Sequence, residues 1–191
     1  MLKEDFNPYL KTMKKFFFFI ALSVTVTMNS QSTKGVENRL FKINALAPGV
    51  SFELGTGANS TFNFEAFVGI QAGYSSISGT SIELFPTLGA EYRYFYNLDR
   101  RLAKGKNTSG NSGNYFAALN QLVFRAPILG NLEYDDPLSY NAALLYGFQR
   151  TYGKGFYFNV AAGPGFFTGD NDPSLGLFVN GTIGWVISKK N

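Results

Sequence analysis

Residues 62–74 alternate between two kinds of side chain over an unusually long stretch. Every second position is apolar, from Phe62 to Tyr74, and the other register holds Asn63, Glu65, Phe67, Gly69, Gln71 and Gly73. Strict alternation is typical of a β-strand with one apolar face. A strand of this length can cross a bilayer at a tilt. Similar stretches recur along the chain, so the sequence predicts a transmembrane β-barrel.

The strands are predicted at residues 40–46, 50–56, 61–74, 82–96, 114–126, 139–151, 155–166 and 175–188. The first two are shorter than the ~9 to 11 residues of a spanning strand. Residues 40–55 can therefore also form one strand kinked at Pro48 and Gly49. We favour a hairpin, because single-chain bacterial barrels have an even number of strands. The predicted fold is all-β, an eight-stranded antiparallel up-and-down transmembrane β-barrel.

The connections of this barrel differ in composition at its two ends. With the first strand running outward, the six prolines beyond the N-terminal segment fall at or above the outer rim: Pro48, Pro86, Pro127, Pro137, Pro164 and Pro173. Proline cannot donate to a β-ladder, so it is expected at rims and loops. Basic residues concentrate at the inner end, where residues 97–104 predict a short helix and residues 105–113 a flexible connection.

The N-terminal segment has the pattern of a secretory signal. Lys14 and Lys15 precede an apolar run at residues 16–26, which is too short for a spanning helix. Small residues then predict cleavage after Gln31 or Ser32, and Met13 is the expected start of the preprotein. We divide the chain into an upstream extension plus signal peptide, residues 1–32, and a single outer-membrane barrel domain, residues 33–191.

Histidine and cysteine are both absent from the chain. This removes the usual general base at neutral pH, the thiolate nucleophile, and the common transition-metal ligands. We therefore expect no enzymatic activity, no cofactor and no bound metal. Beyond residue 32 the chain has 13 basic and 11 acidic side chains, a net charge of +2. Because no basic stripe with interleaved aromatics is present, nucleic acid is not an expected partner.

Charged residues also occupy the register that is expected to face the barrel interior. They are Lys42, Glu53, Glu65, Glu91 and Arg93. An eight-stranded barrel is just wide enough for side chains to fill its interior, so these charges must pair with one another. We predict a structural polar plug that sets the strand register. The functional alternative is a path for protons or small solutes.

Acidic residues cluster in two loops that are expected at the outer end. They include Asp135, Asp136, Asp170 and Asp172. Clustered carboxylates can hold a divalent cation such as calcium, or share one with the phosphates of lipopolysaccharide. The same residues precede prolines in good turn sequences. Solvated turns are the preferred interpretation.

Aromatic residues gather toward the predicted strand ends. They are Tyr92, Tyr94 and Tyr96 in one register, with Tyr115, Tyr140, Tyr152, Phe156 and Trp185 near other ends. Rings of this kind suit the headgroup region of a bilayer. Ordinary strand packing is the alternative, because aromatic residues favour β-structure.

Four short segments together form a distinctive pattern: Leu40-Phe41-Lys42-Ile43-Asn44, Glu91-Tyr92-Arg93-Tyr94-Phe95-Tyr96-Asn97, Asn111-Ser112-Gly113-Asn114-Tyr115 and Tyr146-Gly147-Phe148-Gln149-Arg150. These segments resemble small, mostly uncharacterised outer-membrane β-barrel proteins of Bacteroidota type. The resemblance covers about residues 39–188. It implies an eight-stranded fold in the outer membrane and brings no catalytic residues. The chain departs from many such barrels by ending on Ser188-Lys189-Lys190-Asn191 and not on an aromatic residue.

The preferred function is that of a non-enzymatic outer-membrane barrel, acting as an envelope component or by binding through its surface loops. Its expected partners are outer-membrane lipid, lipopolysaccharide and the outer-membrane insertion machinery, and it is expected to be a monomer. A conduit for small solutes is one alternative. A soluble exported ligand-binding barrel similar to lipocalins is another, and it requires the apolar register to point inward.

Overall fold

The computed structural model describes residues 35–75, 79–126, 128–129, 136–168 and 173–190, with the backbone alone at residues 71–75, 79–82 and 190. The predicted signal peptide lies outside these residues. Among the described residues, no helix has the length and apolar character needed to cross a membrane.

Eight antiparallel strands form a closed barrel in which each strand pairs with the next along the chain and the last pairs with the first. The eight-stranded up-and-down prediction is confirmed. A short helix α1, Leu98–Ala103, lies between the fourth and fifth strands. The strands are β1 Arg39–Asn44, β2 Gly49–Gly55, β3 Ser60–Ser75, β4 Gly79–Phe95, β5 Asn114–Phe124, β6 Leu138–Thr151, β7 Phe156–Phe167 and β8 Ser174–Lys190.

β1 and β2 form a true hairpin. Ile43 pairs with Val50, and the turn between the strands spans residues 45–48. The carbonyl of Pro48 accepts a hydrogen bond from the Val68 backbone N–H at 2.9 Å, so the turn is attached to β3. A single strand kinked at Pro48 is thereby excluded.

The barrel has a termini end, which carries residues 35–38, α1, the turn at residues 152–155 and the last residues of β8. The opposite end carries the turn at residues 45–48 and the residues that precede β6 and β8. Pro48, Pro137 and Pro173 lie there in connections.

Two prolines lie within strands near the opposite end. Pro86 comes directly before the point where the β4–β5 ladder ends, at Thr87 paired with Val123. Pro164 lies where the β6–β7 pairing is interrupted beside Leu144. At both positions the neighbouring strand does not need a backbone N–H donor, so the N–H that proline lacks costs no hydrogen bond of the sheet. Pro127 lies outside the described residues.

The wall of the barrel is uneven in height. β1 and β2 have 6 and 7 residues, whereas β3 and β4 have 16 and 17. Residues 68–75 of β3 have no partner in β2, and residues 79–86 of β4 have no partner in β5. The β3–β4 hairpin therefore extends well past its neighbours at the opposite end.

Apolar side chains cover the exterior of this wall. Those that are exposed along one strand or another include Phe52, Phe64, Leu88, Phe116, Leu144, Val179 and Ile183. Among the described strand residues, the outward charged side chains are Arg39, Arg150 and Lys189, and all three lie at the termini end. The exterior between the ends is therefore uncharged over the described side chains.

Candidate functional site

The structure brings together the five charged residues that the inward register predicts. Lys42 on β1, Glu53 on β2, and Glu91 and Arg93 on β4 are at most 3% exposed. Glu65 on β3 lies beside them with an exposed fraction of 12%. The five side chains come from four consecutive strands, so the cluster fills one side of the lumen.

Ion pairs connect these five side chains. Lys42 Nζ lies 2.6 Å from Glu53 Oε2. The Arg93 guanidinium contacts Glu91 directly and lies 3.8 Å from both Glu53 Oε2 and Glu65 Oε1. One arginine thus serves three carboxylates. Breaking such a buried network by removing one partner is strongly destabilising, because a charge is left without compensation.

Neutral side chains supply further hydrogen bonds to the cluster. Gln149 Oε1 on β6 accepts from Lys42 at 3.1 Å and from Arg93 at 3.2 Å. Glu53 Oε1 accepts from Thr61 at 2.8 Å and from Asn111 at 2.9 Å. These partners come from three separate parts of the chain, so the cluster ties opposite walls of the barrel together.

The cluster keeps some unused hydrogen-bonding capacity. Its three carboxylates face only two cations, Lys42 and Arg93. Glu91 Oε1 and Asn63 Oδ1 are buried without a hydrogen-bond partner among the described residues. Asn63 pairs with Glu91 across β3 and β4, so these two acceptors belong to neighbouring positions. A proton or a water molecule is the smallest species that could satisfy them.

Two buried tyrosines border the cations. The Arg93 guanidinium lies 4.9 Å from the ring centre of Tyr115, and Lys42 Nζ lies 5.2 Å from that of Tyr157. Tyr115 donates a hydrogen bond to Asn159 Oδ1 at 2.7 Å. Such contacts stabilise a desolvated cation. Tyr115 is fully buried, so its predicted place at the membrane interface is wrong.

A glycine makes room for this tyrosine. A Cβ at Gly147 would lie 2.5 Å from Tyr115 Cζ, so any side chain there would displace the tyrosine ring. Tyr115 pairs with Gly147 across β5 and β6. Its ring therefore turns inward over a position without a side chain, a pairing that becomes visible only once the register is known.

The other side of the lumen holds an apolar cluster. Buried residues from β5 to β8 pack there, with Phe95 and Leu98 from the α1 end: Tyr115, Ala117, Leu119, Ala143, Leu145, Ala161 and Phe178. Phe167 packs against this group and stacks on Phe178 with ring centres 5.9 Å apart. The lumen is thus filled from both sides by side chains, as its diameter allows.

The segment that follows α1 closes the termini end. Asn111 is 1% exposed, and its Oδ1 accepts from the Glu37 backbone N–H at 2.7 Å. Glu37 Oε1 in turn accepts from the Gly110 N–H at 2.6 Å, and Gln149 Nε2 donates to the Gly110 carbonyl at 2.7 Å. Residues 110–113, the second part of the run predicted to be flexible, are therefore buried and held by hydrogen bonds.

Sequence reasoning missed Asn111 and Glu37 as members of the site, together with the buried Ser112, whose Oγ accepts from the Thr151 backbone N–H at 2.8 Å. Asn111 has φ of 55° and Gly110 has φ of 61°, the left-handed conformation that these residue types adopt most readily. Adjacent Gly and Asn were a signal for a tight turn. Nothing in the sequence indicated that the turn would enter the barrel.

The acidic loops are described only in part. Asp136 is exposed at the opposite end of the barrel, just before β6. Asp135, Asp170 and Asp172 lie outside the described residues. Within the described part of the chain, no group of three or more acidic, histidine or cysteine side chains is placed to hold a metal ion.

Comparison of this chain with protein-family models, with curated proteins and with solved structures gives no match. The features of the barrel itself therefore define the class of protein. Its two defining features are an apolar exterior and a lumen closed by a buried ionic cluster.

Proposed function

We propose that this protein is a non-enzymatic barrel of the bacterial outer membrane, with a closed lumen, that acts as an envelope component or through its surface loops. The apolar exterior carries this proposal. Exposed Phe and Leu side chains in such numbers are unfavourable in water and favourable against lipid chains. The outward side chains of β6 from Leu138 to Phe148 cover about 34 Å of strand, or about 26 Å of height at a tilt of ~40°. That height matches the apolar band of outer-membrane barrels.

Aromatic side chains at the termini end support the same proposal. Tyr92, Tyr94 and Tyr96 are exposed by 42%, 49% and 44%, and Tyr152 and Trp185 by 54% and 44%. Rings with a polar edge suit the headgroup region, where one side meets lipid and the other meets water.

Charge favours one orientation in the membrane. The termini end carries exposed basic side chains: Arg39, Arg100, Lys104, Lys106, Lys154 and Lys189. Asp136, the described residue of the acidic loops, is exposed at the opposite end. We place the termini end in the periplasm and the acidic loops outside, where they would meet lipopolysaccharide and its divalent cations.

A soluble ligand-binding barrel requires the reverse arrangement of side chains. Its apolar register should line a cavity, and its exterior should carry Lys, Glu and Thr. Here Phe52 and Phe64 are exposed by 40% and 46%, while Lys42, Glu53 and Arg93 are buried. Fractionation tests the point directly. Recovery of the mature protein in the soluble periplasmic fraction without detergent would overturn the membrane proposal.

A conduit for protons or small solutes is the second candidate. Two buried acceptors without a hydrogen-bond partner among the described residues, Glu91 Oε1 and Asn63 Oδ1, favour it. The closed lumen argues for the plug, because Asn111 and Gln149 fill the termini end with hydrogen-bonded side chains. Reconstitution in planar bilayers distinguishes the two. We expect no stable conductance, and defined single-channel steps or proton flux into liposomes would count against a plug.

A further inference from the structure

The exterior carries an apolar groove that ends at a polar cluster. The groove has a volume of about 560 Å³ and crosses β4 to β7. Its sides are Tyr94, Phe116, Leu144, Tyr146 and Pro164, and its floor is Ala118, Ala162 and Gly163. A depression forms here because the floor residues have little or no side chain.

Strand geometry fixes the small size of one floor position. A Cβ at Gly163 would lie 1.9 Å from the Leu144 carbonyl oxygen, so no other residue fits without moving a strand. Pro164 follows directly, at the interruption in the β6–β7 ladder. The groove is therefore built into the wall of the barrel and does not depend on a flexible loop.

Three aromatic rings connect the groove to the termini end. Phe116 lies between Tyr96 and Tyr146, with ring centres 5.4 Å and 5.6 Å away. The Tyr96 and Tyr146 hydroxyls are 3.0 Å apart, and Asn114 Nδ2 donates to them at 3.2 Å and 2.9 Å. Tyr146 belongs to both features, since its ring lines the groove and its hydroxyl joins the polar cluster.

Two arginine charges act on this hydroxyl cluster. Arg100 on α1 and Arg150 on β6 both interact electrostatically with Tyr96. Arg150 donates to the Gly113 carbonyl at 2.7 Å and to Asn114 Oδ1 at 2.5 Å, which fixes its guanidinium beside the Asn114 side chain. Among the described residues, neither arginine forms an ion pair with a carboxylate. Two like charges beside hydroxyl groups, neither of them in an ion pair, favour an anionic ligand.

We propose that this groove and the arginine–tyrosine cluster at its end form a binding site for one anionic glycerophospholipid of the inner leaflet. An acyl chain lies in the groove, against Phe116 and Leu144. The phosphate lies at the termini end, where Arg100 supplies charge and one hydroxyl of the Tyr96–Tyr146 pair donates a hydrogen bond, since the proton of the other is used between them. This inference rests on the proposed membrane location, which puts the termini end beside a leaflet of phospholipids. A lipid is the occupant that needs both parts, since a free phosphate would leave the groove unused.

Native mass spectrometry of the full mature barrel in detergent tests the site, with palmitoyl-oleoyl phosphatidylglycerol and the phosphatidylcholine of the same chains as probes. We expect the anionic lipid to bind about tenfold more tightly, the equivalent of roughly one charge-assisted hydrogen bond. The Arg100→Gln variant should lose most of this preference. Arg39→Gln, an exposed arginine on β1 at the same end, is the matched control and should keep it.

The groove has its own pair of variants. Ala118→Leu fills the floor and should weaken both lipids at least about threefold, because the acyl chain loses contact area. Ala66→Leu, an outward alanine on β3 away from the groove, is the matched control. Heat resistance of the folded band on a gel shows that each variant folds. Tyr146→Phe, which removes only a hydroxyl from the site, replaces Arg100→Gln or Ala118→Leu if either of these does not fold.

Several results would overturn the proposed site. The first is equal affinity for the two lipids. The second is an equal loss of the preference for the anionic lipid in Arg100→Gln and Arg39→Gln, and the third is unchanged lipid affinity in Ala118→Leu. The last is occupation of the groove by a second copy of the protein, which would appear as dimers that Ala118→Leu dissociates. A heat-resistant membrane barrel without lipid preference refutes the site and leaves the membrane proposal intact. A protein recovered without detergent refutes both.

Discussion

Replacing Arg93 with methionine tests whether the lumen is held together by its ionic cluster. The substitution keeps much of the side-chain volume and leaves Glu53, Glu65 and Glu91 facing Lys42 alone. Removing one partner of a buried ion pair typically costs about 3–5 kcal/mol, because the remaining charge loses its compensation. Arg93 also donates to Gln149 and stacks on Tyr115, so we expect the upper part of that range.

Urea unfolding of the reconstituted barrel, followed by the fluorescence of the single tryptophan Trp185, measures this cost. At a slope of ~2 kcal/mol per molar urea, a loss in the upper part of that range should lower the midpoint by about 2–2.5 M. Arg39→Met is the matched control, because Arg39 is an exposed arginine at the end of β1. We expect its free energy of unfolding to change by no more than about 0.5 kcal/mol.

The double variant Arg93→Met with Glu91→Gln separates charge from packing. It removes one positive and one negative charge together, so it should recover about 1–2 kcal/mol of the loss. Two results would contradict this reasoning. The free energy of unfolding of Arg93→Met would lie within about 1 kcal/mol of that of the Arg39→Met control, or the loss in the double variant would equal the sum of the two single losses. Either result would mean that electrostatic matching does not hold the lumen together.

Three further predictions concern other parts of the barrel. Asn111→Ala should lower the free energy of unfolding by about 2–3 kcal/mol, and Asn111→Gly should lower it by less, because glycine readily keeps the left-handed backbone conformation. Equal losses of the two variants in urea unfolding would contradict a role for the positive φ of Asn111. Tyr115→Phe leaves the buried Asn159 oxygen without its donor and should cost about 1–2 kcal/mol in the same assay, whereas a neutral result would mean that water replaces the hydroxyl. Trypsin should cleave after the exposed Lys104 or Lys106 only once the outer membrane is permeabilised, and cleavage in intact cells would reverse the orientation proposed here.

Periodicity was enough to predict the strands. The alternation of Phe62, Asn63 and Phe64 fixed which side chains face outward on β3, and the structure exposes Phe62 and Phe64 and buries Asn63. The even strand number and the proline positions favoured a hairpin at Pro48 over a single kinked strand, and the structure contains the hairpin. These are local properties, which a single strand or turn records in its own residues.

The contacts inside the lumen could not be predicted in the same way. Lys42 and Gln149 are 107 positions apart and meet only because the ring closes. Tyr115 was misplaced because its inward direction depends on its pairing with Gly147. The entry of Asn111 into the barrel is likewise a tertiary event. Sequence patterns predicted which residues share the interior, and closure of the ring decided which of them touch.

In the proposed membrane location, the unequal strands have a consequence for the bilayer. β1 covers about 20 Å along its axis, or about 15 Å of height at a tilt of ~40°, well under the ~30 Å of a hydrocarbon core. Lipids beside the β1–β2 hairpin would then shorten or tilt, at a cost of fractions of a kcal/mol per Å of mismatch. The bilayer would be thinner on this flank of the barrel than beside β3 and β4, and the barrel would tilt in a preferred direction. Membrane proteins with short spanning segments would accumulate on the thin flank.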